Sequence, residues 1–160
     1  APLESAIVAA MKAVHPYEEV AYDQAPLTNV HQGIGSGAVG ELPEAMDEAS
    51  FLARVKGLFG APVVRHTALR GRPVKRVAVC GGSGAFLVGK ALAAGADAYI
   101  TGDVKYHEFF QAEGRMVIAD IGHFESERFT MDLIQRRLAG IFPTFAVRLT
   151  DTVTNPIHVS

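Results

Sequence analysis

His123 and Glu127 stand four residues apart, a spacing that stacks two side chains on one face of a helix. An imidazole and a carboxylate so placed can bind one divalent metal, or one metal each of an adjacent pair. The same spacing also serves a plain surface pair at a helix start, where the dipole favours acids. A second polar cluster comprises Asp103, Lys105, Tyr106 and His107. His107 is its candidate catalytic residue, since an imidazole beside a metal can relay protons or hold a phosphate. Asp103 sits where a helix N-cap belongs. Gly81, Gly82, Ser83 and Gly84 precede a helix, whose free N–H groups could hold a phosphate or carboxylate. They serve equally as a tight strand-to-helix turn, and they lack both the Lys-Ser/Thr of a P-loop and the dinucleotide-binding spacing. Cys80 is a possible nucleophile, but a cysteine in a buried strand is more often inert. His15-Pro-Tyr-Glu-Glu19 is dense in polar and aromatic groups and reads also as a rigid turn. His31, His66 and His158 have no constellation around them.

The elements that must position these residues fall into two textures. Residues 71–160 alternate strands with short helices, with strands at 77–80, 98–101, 116–119 and 145–149 and helices at 85–94, 104–112 and 123–138. This is the pattern of parallel βαβ units, an α/β lobe with a mainly parallel sheet. The three polar groups sit at carboxyl ends of successive strands, where open parallel sheets bind ligands. Residues 1–70 read as a separate small α+β domain of the ferredoxin-like kind. Its elements are a helix over 5–14, strands over 20–26, 33–40 and 62–67, and a helix over 45–59. In that second helix Ala49, Leu52, Val55 and Phe59 recur at helical spacing, and Gly60 is the stop.

The chain's 160 residues carry 15 Lys and Arg against 17 Asp and Glu, a formal charge of −2. No basic field exists to hold a phosphate backbone, which disfavours nucleic acid. With 49% hydrophobic and 20% charged residues the chain has the balance of a folded globular protein rather than a disordered one. Its apolar runs are far short of the roughly 20 residues of a membrane span. The single cysteine suits a reducing compartment, the cytoplasm. The first residues, Ala-Pro-Leu-Glu, carry no basic segment of a signal peptide and no initiator methionine, as a processed chain or a piece of a longer one would.

Cys80-Gly-Gly-Ser-Gly84, Thr101-Gly-Asp-Val-Lys-Tyr-His107 and Gly122-His-Phe-Glu-Ser-Glu127, with Thr154-Asn-Pro156 near the end, resemble the NIF-three-like family. Members of that family often carry the name GTP cyclohydrolase 1 type 2. Residues 1–70, through His15-Pro-Tyr-Glu-Glu19 and the Gly-rich strand, resemble the CutA- and PII-like domain inserted in its longer members. The resemblance implies a dinuclear site of divalent metal ions between two α/β lobes, usually in a toroidal hexamer. It implies that His123 and Glu127 are metal ligands of the carboxyl-terminal lobe and that Asp103 and His107 line the pocket. Gly81 to Gly84 would shape its rim. The amino-terminal lobe that supplies the remaining ligands has no counterpart here, so the chain is expected to be the insert plus the carboxyl-terminal lobe.

Three functions follow as expectations. The first is part of a metal-dependent hydrolase, the reaction being hydrolytic opening of the purine ring of GTP, with a nucleotide as ligand. The second is a metal-handling or regulatory binding protein without turnover, supported by the likeness to PII and CutA domains. The third is an oligomerisation scaffold, the chain forming a trimer or hexamer of itself. One His and one Glu suit Zn, Mn, Fe or Ni equally.

Overall fold

A computed structural model describes residues 3–26 and 33–160 of the chain. Contacts divide the chain into two compact units, Ala1–Gly33 and Ile34–Ser160. In the first, α1 spans Glu4–Val14 and none of its residues is buried. It stops where Pro16 forces His15 out of helical geometry, to φ −77° and ψ 139°. The following segment is a local turn, with the Tyr17 amide on His15 Nδ1 at 3.2 Å and the two rings edge to face at 5.2 Å. No strand forms over 20–26. His31 lies outside the described residues.

The second unit runs β1 (Ala38–Met46), α2 (Glu48–Phe59), β2 (Arg65–His66), β3 (Val74–Ser83), a 3-10 turn (Ala85–Leu87) and α3 (Val88–Ala93). It continues with β4 (Ala98–Gly102), a 3-10 helix (Tyr106–Ala112), β5 (Val117–Asp120), α4 (His123–Glu127) and α5 (Thr130–Ile141). The described residues build a five-stranded sheet in the order β1-β3-β4-β5-β2. The central three strands are parallel and the two edges antiparallel.

The parallel centre is covered on both faces, which is why all five residues of β4 and all four of β5 are buried. Strand alternation sends Ala78, Cys80, Tyr99 and Ile118 into one apolar cluster with Val88 and Ala91 of α3. It sends Val77, Ala98, Ile100 and Val117 toward a second, against Phe51 and Val55 of α2, which Val74 joins from the start of β3. Cys80 is thus a buried free thiol, its Sγ 3.1 Å from the carbonyl of Ser36, and its place is packing. α2 is well terminated: Asp47 caps Ser50 N at 2.8 Å, and Gly60 closes the helix with φ +58°. Below it lies a buried ion network. Arg70 Nε reaches Glu48 at 2.9 Å and its other arm reaches Asp97 at 2.9 Å.

Three expectations require correction. A ferredoxin-like sandwich over 1–70 is not found among the described residues, because β1 and β2 are edges of the same sheet as β3, β4 and β5. The helix expected over 123–138 is two helices. The ladder breaks at Arg128-Phe129, where Met131 N bonds the i−3 carbonyl of Arg128 and the Phe129 ring meets Phe59 edge-on at 5.9 Å. Residues 145–149 are not a strand: they pair with neither edge of the sheet, and the carbonyl of Val147 accepts from the Gln135 side chain at 3.0 Å.

Candidate metal half-site at the strand ends

Parallel pairing of β3, β4 and β5 brings three loop starts to one edge of the sheet. The loop after β5 turns through Gly122, with φ +93°, and opens α4 at His123. On α4 the i,i+4 spacing puts His123 Nε2 3.2 Å from Glu127 Oε2. The loop after β4 begins at Asp103, which holds a left-handed φ of 55° and sets its carboxylate Oδ2 2.6 Å from His123 Nδ1. All three side chains are about half exposed. The hydrogen bond that the His123 ring gives to Asp103 raises the imidazole above its ordinary value. Partial burial opposes this, and the charges of Asp103 and Glu127 add to it.

The end of β3 supplies the wall behind this group. A Cβ at Gly82 would collide with the Glu127 carboxylate and lie 3.3 Å from His123 Cε1, and Gly82 has φ +63°. One at Gly81 would touch Glu127 Cγ at 3.5 Å. Small residues are needed here because a helix packs directly on the strand end. Gly82 N donates to Ser126 Oγ at 2.8 Å, and that hydroxyl donates to the carbonyl of His123 at 2.8 Å, clamping α4 to the turn. Gly84 N donates to Thr101 Oγ1 at 3.0 Å, the Thr101 hydroxyl donates to the Gly82 carbonyl at 3.1 Å, and Tyr99 donates to the Gly84 carbonyl at 2.7 Å. Burial, with the neighbouring Cys80 adding to it, pushes the Tyr99 hydroxyl up to about 12. The glycine segment is therefore a braced turn whose Gly82 and Gly84 amides are already occupied, rather than an open anion cradle. Ser83 pairs with Gly102 at the end of the ladder.

The other candidates lie apart from this group. Asp103 is not an N-cap; the cap of the 3-10 helix is Lys105, whose amide donates to the Glu108 carboxylate at 2.7 Å. The Lys105 and His107 side chains are exposed, and the His107 ring packs edge-on against Tyr106 at 5.3 Å. Neither lines the cavities beside His123. His66 and His158 are exposed and stand outside the site.

Two buried acids complete the frame. Asp120 accepts from Val104 N at 3.0 Å and Gly122 N at 3.0 Å, and pairs with Arg65. Arg65 also donates to the carbonyl of Val104 at 2.9 Å and lies over the Phe109 ring. Arg65 and Asp120 are direct partners in the β2–β5 register, which no local spacing in the sequence reveals. Glu125 accepts from Asn155 at 3.1 Å, drawing the end of the chain beside the site. A cavity of about 680 Å³ is lined by His123, Glu127, Asp103 and Asn155, and another of about 260 Å³ by Asp103, Arg65, Asp120 and Glu125.

Residues 5–156 match the family Duf34/NIF3 (NGG1p interacting factor 3). A Bacillus subtilis protein named GTP cyclohydrolase 1 type 2 homolog is 35% identical over 96% of this chain and 42% of its own length. A Halalkalibacterium halodurans protein of the same name is 44% identical over 63% of this chain and 27% of its own length. Among solved structures, a Bacillus cereus protein related to NIF3 is similar with a TM-score of 0.71 at 31% identity. That match covers 99% of this chain and 45% of that one. A Staphylococcus aureus protein reaches a TM-score of 0.77 at 27% identity, covering 99% of this chain and 46% of that one. The chain thus spans less than half the length of these relatives.

The donor chemistry fits a divalent ion in part. Among the described residues no three His, Cys, Asp or Glu side chains are grouped to hold a metal. His123 Nε2 and Glu127 face each other as two donors, while Asp103 is committed to the far ring nitrogen. Catalytic zinc sites take three protein ligands and an open position. Two donors make the open half of such a set. No helix of the described residues is long and apolar enough to cross a membrane.

Proposed function

Because the chain belongs to the Duf34/NIF3 family, we propose that it contributes one half of a divalent-metal centre in a hydrolase-like protein, with His123 and Glu127 as its ligands. The observation that carries this is the 3.2 Å approach of Nε2 to Glu127 with Nδ1 already held by Asp103, at the carboxyl ends of parallel strands. His123 and Glu127 supply two donors of that centre, and the chain spans 42% of its Bacillus subtilis relative. Divalent ions held there by His123 and Glu127 would supply the Lewis acidity that makes hydroxide available near neutral pH. This chain's own part is to hold and orient. Glu127 and His123 supply a carboxylate and a neutral nitrogen, Gly82 keeps their back wall close, and the 680 Å³ cavity is of small-molecule size. The name shared by the relatives suggests the substrate, GTP, and ring opening as the reaction.

Calorimetric titration of the chain with Mn²⁺ and Zn²⁺ tests the ligand pair. Affinity falls at least tenfold in His123→Ala and in Glu127→Gln; unchanged binding in the double variant sinks the reading. Ring opening is followed by the ultraviolet absorbance of GTP in the presence of Mn²⁺. A second reading, metal handling without turnover, is favoured by the openness of the pair, whose side chains are 47% and 52% exposed. It predicts metal binding with no change in the GTP spectrum.

A further inference from the structure

We propose that Asp103 is a positioning residue that fixes the His123 ring with its proton on Nδ1, leaving the Nε2 lone pair aimed at the metal; this rests on His123 being a ligand. The contact is 2.6 Å between Oδ2 and Nδ1. An ionised carboxylate only accepts, and a neutral ring has one N–H to give. Of its two carboxylate neighbours, Asp103 at 2.6 Å from Nδ1 is closer than Glu127 at 3.2 Å from Nε2, so the hydrogen sits on Nδ1. The two ring nitrogens lie on different edges of the imidazole. A carboxylate on Nδ1 is therefore no ligand of an ion that Nε2 would take, but sets ring orientation and basicity, as outer carboxylates do for ligating histidines.

The backbone is shaped for this contact. Asp103 and Glu113 are the non-glycine residues with positive φ among those described. Glu113 holds its 51° as the left-handed cap closing the 3-10 helix, an ordinary place for it. Asp103 caps nothing. Its conformation turns the carboxylate back toward α4. Gly102 just before it has no room for a side chain, since a Cβ there would stand 2.8 Å from the Gly122 carbonyl and 2.9 Å from His123 N. Gly122 likewise cannot carry one without striking the Glu125 carboxylate. Two glycines, one ending β4 and one in the loop after β5, thus let the end of β4 press against the start of α4, and the outcome of that approach is the Asp103–His123 pair. Asp103 is reached across the sheet rather than along a helix, and it is independent of the i,i+4 contact to Glu127.

The test uses the whole chain labelled with ¹⁵N-histidine, His123 being identified by the signal lost in His123→Ala. In metal-free protein, at a pH where the ring is neutral, long-range ¹H–¹⁵N correlation reads the tautomer. The Nδ1–H form is expected to dominate, and Asp103→Ala is expected to shift the ring toward Nε2–H. Titration with Mn²⁺ or Zn²⁺ is expected to show a loss of about 10- to 100-fold in Asp103→Ala. Asp103→Asn, whose amide oxygen still accepts from Nδ1–H, recovers most of it. A dominant Nε2–H form in the unaltered chain overturns the proposal. So does metal affinity unchanged in Asp103→Ala while His123→Ala loses it, a result that leaves the ligand pair standing. Affinity unchanged in both variants overturns the ligand pair and this inference together.

Discussion

Arg70 is the side chain on which the frame of the second unit depends. It is 4% exposed and joins Glu48 of α2 to Asp97 ahead of β4. Burial works to raise the Glu48 carboxyl. The hydrogen bonds from Arg70 and from the Gly71 amide outweigh it and hold the group below its ordinary value of 4.5. Asp97 follows the same pattern: burial is outweighed by the Arg76 and Lys75 amides and by Arg70, leaving it below 3.8. A carboxyl whose folded value lies below its unfolded one stabilises the fold above the unfolded value and ceases to do so as pH falls through the folded one. Urea midpoints are therefore expected to be flat from about pH 7 to 5 and to fall below the ordinary carboxylate range. Arg70→Met leaves a buried unpaired carboxylate and should cost about 3–5 kcal/mol at neutral pH. Burial is then opposed only by the backbone amides of residues 70 and 71, so the deficit should shrink on acidification from about pH 7 to 5. A deficit that is constant over that range would show that Glu48 does not feel Arg70. At Gly82 the expectation is different in kind. An alanine there must adopt φ +63° and push the Glu127 carboxylate from His123. Gly82→Ala should cost about 1–2 kcal/mol in urea unfolding and weaken Mn²⁺ binding as well.

At the scale of elements, contacts of short sequence range were legible and cross-strand ones were not. The i,i+4 pair His123–Glu127, the Gly60 stop and the three central strands all follow from local spacing. Asp103 meets His123 twenty residues away, and Arg65 meets Asp120 fifty-five residues away. Both depend on strand order and register, which a single sequence does not encode locally. β1 misleads for the same reason. It is mostly exposed and carries Pro43, Glu41 and Glu44, which suits an edge strand but not any particular sheet. Residues 145–149 have a strand's alternation yet pair with no strand of the sheet. The braced turn after β3 is an element-scale device too, and Thr101 of β4 is its anchor. Thr101→Val leaves the Gly84 amide and the Gly82 carbonyl without their buried partner. The expected cost is about 1–3 kcal/mol in urea unfolding, with weaker Mn²⁺ binding as the Gly82 wall loosens. Unchanged stability would mean that the turn is held by Ser126 and Tyr99 alone.

For the molecule as a whole, the buried clusters and the candidate site belong to one unit. The buried residues of both clusters run from Phe51 to Ile121, and the partly buried ones packed on them begin at Leu42. Asp103, His123 and Glu127 belong to the same unit, Ile34–Ser160. The unit Ala1–Gly33 holds a helix with no buried residue. Apolar burial is the main stabilising term of a fold, so residues that bury nothing contribute little to it. A chain beginning at Ile34 should therefore melt within about 3 °C of the full one, a difference below about 1 kcal/mol. Its Mn²⁺ and Zn²⁺ affinities should also match those of the full chain within about twofold, less than 0.5 kcal/mol. Differential scanning calorimetry and metal titration on the two chains side by side read both quantities. A lower melting temperature with intact metal binding would assign residues 1–33 a part in stability. Intact stability with lost metal binding would assign them a part in the site, and would move the missing donors into this chain.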